Sequence, residues 1–201
     1  MHRATRMEVN LKNVKKNFRE IRRHIGQGPE IMGVIKADAY GHGAFEISRA
    51  LEEAGCRRFA VAIPDEALEL RERGVAAPIL VLGPTPERSA AEYVKRNVTA
   101  TITDLSFARA LDAEAAKQGK RAPVHVKVDT GMSRVGFFPH EIPSVLDELM
   151  SLPGIIIEGM FTHFAVADER RLDFTEYQFS GLADALESAA ARGISIPFRH
   201  A

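Results

Sequence analysis

The chain has 201 residues, near one domain at roughly 150 residues per domain. Lys plus Arg and Asp plus Glu both number 27, and the formal charge of zero excludes a nucleic-acid binder or membrane anchor driven by bulk positive charge. Apolar residues at 45% and charged residues at 27% fit a soluble globular protein, and a single cysteine, Cys56, excludes an internal disulfide and a cysteine-cluster zinc site.

The basic start Met1 to Arg6 is followed by Glu8, Asn10, Lys12, Lys15 and Lys16, so no signal-peptide core is expected. No run approaches the roughly 18 apolar residues of a membrane span. A reducing, cytoplasmic location follows. Residues 1–10 are expected to be extended. Leu11, Val14, Phe18, Ile21 and Ile25 then recur at helical spacing. Ile31–Ile35 is a short apolar run of the kind that forms a strand buried on both faces. Similar runs follow at Phe59–Ile63, Ile79–Leu82, Thr99–Thr103, Val124–Val128, Ile155–Phe161 and Ile196–Ala201.

Helices are predicted between them. Ile47, Leu51 and Ala54 mark one, and Pro64-Asp65-Glu66 opens another with proline and acids in its first turn. Thr85 is the predicted N-cap of a third and Asp104 of a fourth. Ile142, Val145, Leu146 and Leu149 form a further stripe, and Asp168 to Arg192 reads as one long helix closed by Gly193. Seven strands alternating with helices predict an α/β fold with a parallel sheet, either a (β/α)8 barrel or a doubly wound sheet, without a visible linker or repeat. A barrel would be one strand short, with unpaired edges at the first and seventh strands. The chain is therefore expected to be a fragment or to need a partner, and to be aggregation-prone or loosely ordered near Ile194–Ala201.

Reactive groups of α/β barrels lie beyond the C-terminal ends of the strands. The first strand ends at Lys36, before Ala37-Asp38-Ala39-Tyr40-Gly41-His42-Gly43. A lysine closing an apolar strand is either a desolvated amine able to form a Schiff base, with Tyr40 near a helix start suited to phosphate, or a side chain reaching solvent. On the fifth strand, alternation places His125, Lys127 and Asp129 on one face, with Arg134 in the loop beyond, between Gly131 and Gly136. Lys127–Asp129 or Arg134–Asp129 structural pairs are the plain alternative. His163 and His200 close the sixth and seventh strands as a proton shuttle or ring-stacking group, or as hydrogen-bonded core histidines. Cys56 reads as packing, His2, His24 and His140 as surface. No serine elbow, P-loop or dinucleotide fingerprint is present.

Together these strand ends resemble the alanine racemase family of fold-type III pyridoxal-phosphate enzymes. The resemblance rests on Val34 to Gly43, Ile79 to Gly83, Lys127 to Gly136, Thr162-His163-Phe164 and Ala167-Asp168-Glu169, with Thr5 to Leu11 similar to the family's opening. It implies an incomplete pyridoxal-phosphate-binding barrel occupying residues 1–201, without the family's C-terminal β domain. Lys36 would hold the cofactor and act as one of two bases in interconverting L- and D-alanine, which supplies peptidoglycan. Tyr40 would contact the phosphate and Arg134 the phenolic oxygen. Lys127 would match a lysine that is carbamylated in many members. His163 would pack on the pyridine ring, Leu82 would line the pocket, and His200 would stand behind it. A full-length form would be a homodimer. The residues quoted stop short of the family's second base, so this chain alone is expected to be inactive. A non-catalytic cofactor-binding barrel and a broad-specificity racemase are the near alternatives. A metal-dependent hydrolase using Lys127, Asp129, His163 and His200 is disfavoured, since the chain holds no His-x-His pair and no metal site is expected.

Overall fold

A computed structural model describes residues 7–201; Met1 to Arg6, with His2 and most of the expected extended segment, lie outside the described residues. Seven strands alternate with helices, and the chain divides into two compact units, one ending at Val81 and one beginning at Leu82. The expected α/β class and strand count hold. Among the described residues no helix is long and apolar enough to cross a membrane.

The first unit starts with α1 (Leu11–Ile25), whose first N–H groups are capped by the Asn10 side chain through Lys12 and Asn13. Of its expected apolar stripe only Phe18 is buried; Ile21 is exposed. β1 (Met32–Val34), β2 (Arg58–Val61) and β3 (Ile79–Val81) pair in parallel in that order. Phe59, Ala60, Val61, Ile79, Leu80 and Val81 are the buried centre. β1 departs from the expectation of burial on both faces, because Val34 is 43% exposed. α3 (Ala44–Ala54) and α4 (Pro64–Glu72) supply the crossovers. Ile63 has no side-chain acceptor, so α4 is closed by Pro64 and by Glu66 reaching back to the Ile63 N–H.

The segment after Lys36 differs most from expectation. Instead of a helix start, α2 (Lys36–Gly41) is one turn of left-handed backbone: Ala37, Asp38, Ala39 and Tyr40 all have φ between 50° and 57°. None is glycine, and for Ala37, Ala39 and Tyr40 the conformation costs about 1 kcal/mol or more each against the right-handed form. The turn is held by Ala39 N–H on the Ile35 carbonyl (2.9 Å), Gly43 N–H on the Asp38 carbonyl (2.9 Å) and Ala44 N–H on Asp38 Oδ1 (2.6 Å).

In the second unit a short 3-10 turn (Glu87–Ser89) leads into α5 (Ala90–Arg96). Thr85 is not the N-cap here; its hydroxyl instead bonds the buried Tyr93 hydroxyl at 2.8 Å. β4 (Thr99–Ile102), β5 (Ala122–Lys127), β6 (Ile155–Phe161) and β7 (Phe198–His200) pair in parallel, in chain order. α6 (Leu105–Gln118) is capped by Asp104 as expected, and α7 (Ile142–Met150) buries its full predicted stripe. α8 (Asp173–Ala191) begins five residues later than the acid at Asp168, which lies in the preceding loop with Glu169, Arg170 and Arg171. Gly193 (φ 71°) takes the left-handed position past its end.

Between β5 and β6 the register slips: Val124 faces Ile157 but His125 faces Gly159. Glu158 is thus the extra residue of a bulge. A Cβ on Gly159 would sit 2.4 Å from the His125 ring, so only glycine lets the two strands meet there.

Candidate active site

In the first unit, Lys36 lies two residues past the end of β1, half-buried, with Nζ 5.9 Å from the centroid of the Tyr40 ring. The left-handed turn brings the lysine and the tyrosine together four residues apart, and Tyr40 remains 61% exposed. The N–H of Ala37 donates to Glu66 Oε1, a contact the sequence reading missed because Glu66 has an ordinary place in a helix first turn.

In the second unit the polar face of β5 is buried, as alternation implied. Lys127 is 3% exposed, and its ammonium donates to the Val128 carbonyl at 2.9 Å. Burial pushes its pKa down to about 8; Asp129 opposes that shift and Arg134 adds to it. Asp129 forms neither of the expected structural pairs. Its carboxylate accepts the backbone N–H groups of Gly131 (3.0 Å), Ser133 (2.9 Å) and Arg134 (3.0 Å). Burial raises its pKa, but those donors and Lys127 outweigh it and hold the carboxyl below its usual range. The loop is thereby wound around Asp129 and carries Arg134 to an exposed position.

Gly136 (φ 113°) lets the loop return: Phe137 N–H donates to the Lys127 carbonyl (3.0 Å) and Asp129 N–H to the Phe137 carbonyl (2.8 Å). A Cβ there would lie 2.8 Å from the Lys127 carbonyl oxygen.

The ends of β5 and β6 are tied by Thr130 and Thr162, hydroxyl to hydroxyl at 2.7 Å. Beside them stands Gln178 of α8, fully buried and absent from the sequence reading. Its Nε2 donates to the His163 carbonyl (3.1 Å) and its Oε1 accepts the Ala165 N–H (2.9 Å). Its signal was available: it is a polar residue in register with buried Leu182, Ala185 and Ala189 on one helix face. His163 itself is held by its backbone and has an exposed side chain. His200 stacks on Phe161 at 4.5 Å and faces His125 at 2.8 Å between Nε2 and Nδ1. His125 Nε2 lies 3.7 Å from Glu158 Oε1. Burial, then His125 and Lys127, push the His200 pKa down to about 3. Leu82, just past β3, is half-buried. Lys127 at the end of β5 and Asp129 and Arg134 in the loop after it therefore form one group, and His125, His200 and Glu158 one cluster. Among the described residues no group of three His, Cys, Asp or Glu side chains could hold a metal ion. Cys56 is buried, which raises its thiol pKa, and serves packing.

Residues 9–201 match the family model described as alanine racemase, N-terminal domain. Alanine racemase 2 of Caldanaerobacter subterraneus subsp. tengcongensis is 45% identical over 199 residues, 98% of this chain and 51% of the relative. An alanine racemase structure from Clostridium difficile 630, in complex with cycloserine, superposes with TM-score 0.87 at 37% identity, over 95% of this chain and 52% of that one. A histidine racemase structure from Leuconostoc mesenteroides subsp. sake gives 0.82 at 29% identity, over 94% and 56%. The chain thus spans about half the length of the curated relatives it matches. With the whole of β1 to β7 inside the matched residues, this chain belongs to the alanine racemase family, as its N-terminal domain.

Proposed function

We propose that this chain is the lysine-bearing part of a pyridoxal-phosphate-dependent alanine racemase, an isomerase of the cytoplasm that supplies D-alanine for peptidoglycan and works as a homodimer in its full-length form. The observation that carries the proposal is Lys36 just beyond the C-terminal end of β1, within a family match over residues 9–201. The donor set fits the cofactor. An amine suits the aldehyde, a phenol the phosphate, a guanidinium the phenolic oxygen and an imidazole the ring. Lys36, Tyr40, Arg134 and His163 are side chains of those four types, in the segments that follow β1, β5 and β6.

When bound, pyridoxal phosphate supplies an electron-withdrawing ring that acidifies the Cα proton of an amino acid. Lys36 would hold the cofactor through its amine and would move the proton at the substrate Cα on one face. Tyr40 would donate its hydroxyl to the phosphate. Arg134 would donate to the phenolic oxygen, Leu82 would line the pocket and His163 would pack on the ring. His200, kept neutral, adds no second positive charge behind it. The buried Lys127 amine, with its lowered pKa, adds to carbon dioxide with loss of a proton, turning a cation beside Arg134 into an anion. Carbon-13 bicarbonate should give a carbamate resonance in this chain and none in Lys127→Met; its absence from both refutes that assignment.

The test of the whole reading is pyridoxal phosphate with borohydride and peptide mapping, followed by alanine in deuterated water with the full-length protein. Label on Lys36 and solvent deuterium at Cα are expected. Label without exchange favours a non-catalytic cofactor binder. The likeness to a histidine racemase supports a second reading, broader substrate range, which histidine in the same exchange assay decides.

A further inference from the structure

Glu66 spends both carboxylate oxygens on backbone donors from two separate segments. Oε1 accepts the N–H of Ala37 at 2.5 Å, and Oε2 accepts those of Ala62 at 2.7 Å and Ile63 at 3.1 Å. Ala62 and Ile63 form the entry to α4, which Glu66 caps from its third position. Ala37 belongs to neither strand nor α4; it is the residue after Lys36 and the first of the four left-handed residues.

A second glutamate shows what capping alone requires. Glu141 occupies the same place after Phe138-Pro139, and its Oε2 accepts the Phe138 N–H at 2.7 Å. It makes that one reach-back bond. The bond from Glu66 to Ala37 is therefore additional to helix capping. The left-handed turn bonds Ala39 and Gly43 internally, whereas the Ala37 N–H finds its acceptor on Glu66.

We propose that Glu66 is the positioning residue of Lys36: its carboxylate ties the turn after the lysine to the β2–α4 connection and sets the direction in which the lysine side chain leaves β1. Tyr40, at the far end of the same turn, is placed by the same tie. What Lys36 does once positioned rests on the function proposed above. A glutamine has one acceptor oxygen, and its amide group would confront an N–H instead of receiving one. With its oxygen turned to Ala62 and Ile63, the side chain of Glu66→Gln would leave Ala37 without an acceptor.

The test compares Glu66→Gln with Glu141→Gln, the capping glutamate that lacks the second tie. Amide exchange by NMR should quicken about tenfold or more at Ala37 in Glu66→Gln, with Ala62 and Ile63 changing less. Trace acetylation of the Lys36 amine, measured against the other lysines, should rise at least threefold in Glu66→Gln and stay at the wild-type value in Glu141→Gln. The yield of borohydride-trapped pyridoxal phosphate on Lys36 should fall in Glu66→Gln alone. Unchanged exchange at Ala37, or equal Lys36 acetylation in the two variants, overturns the proposal. Wild-type protein that takes no cofactor on Lys36 refutes the proposed function, while exchange and acetylation still judge the tie.

Discussion

The imidazoles of His125 and His200 meet nitrogen to nitrogen, 2.8 Å from Nδ1 to Nε2, so one of the two facing atoms carries a hydrogen and the other receives it. Glu158, lifted out of register by the β6 bulge, stands 3.7 Å from the other nitrogen of His125.

This pair gives the protein an acid-sensitive element. The His200 pKa falls from 6.5 to about 3, mainly through burial. A lowered folded-state value means that the unfolded chain binds the proton first. Stability from this group is full above pH 6.5 and drains as pH falls toward 3. The limiting slope is about 1.4 kcal/mol per pH unit. Urea midpoints from neutral pH to about pH 4 should fall more steeply for wild type than for His200→Gln. Parallel curves would refute this.

Lys127 acts in the alkaline range. Its folded value of about 8 lies below the ordinary 10.5, so its burial penalty is full below pH 8 and vanishes above 10.5. Lys127→Met should be more stable than wild type at neutral pH by roughly 1–3 kcal/mol, and the gap should close as pH rises through that window. Thermal melts in bicarbonate-free buffer at both ends of the window check it.

Two glycines are fixed by what faces them. Gly159→Ala would push a methyl into the His125 ring, and Gly136→Ala would meet the Lys127 carbonyl at a left-handed φ. Each should cost about 2 kcal/mol or more in urea unfolding. Gly28→Ala, with nothing within 4 Å of a Cβ, should change little by the same assay.

Gln178→Leu keeps the volume near constant but strands the Ala165 N–H and the His163 carbonyl. A loss of about 2 kcal/mol or more is expected, with faster amide exchange at Ala165. Wild-type exchange there would show that the loop after β6 is held by other contacts.

Residues 124–129 were legible because a strand's period of two is a local rule, and a buried lysine and aspartate on one face can be read from it. The Asp104 cap and the left-handed Gly193 were legible for the same reason. What escaped the sequence reading depends on distant partners. Thr85 has the chemistry of a cap, yet Tyr93 offers its hydroxyl a better bond inside the core. Asp168 looks like a helix start as much as Asp173 does, and the tie from Gln178 to Ala165 and His163 holds the chain before α8 as a loop. The bulge at Glu158 is a property of a strand pair, not of either strand. A left-handed turn at Ala37 to Tyr40 runs against the local propensity of alanine and tyrosine, and the acceptor of the Ala37 N–H, on Glu66, is 29 positions away. Lys36 and Arg134 could be named as candidates through the resemblance; the residues that hold their backbones could not.

The turn at residues 37–40 runs with the opposite screw sense to the other described helices. Any replacement there is sorted by handedness before size or charge matters: glycine, asparagine and aspartate pass, while valine, isoleucine and threonine are penalised even in open space. An exposed right-handed position such as Lys117 accepts most residues other than proline and glycine. Ala37 to Tyr40 cannot, although Asp38 and Tyr40 are just as open to water. The solvent-facing positions of this stretch, Ala37, Asp38 and Tyr40, are thus restricted to a small amino-acid alphabet by chirality, while Ala39 is restricted by burial as well.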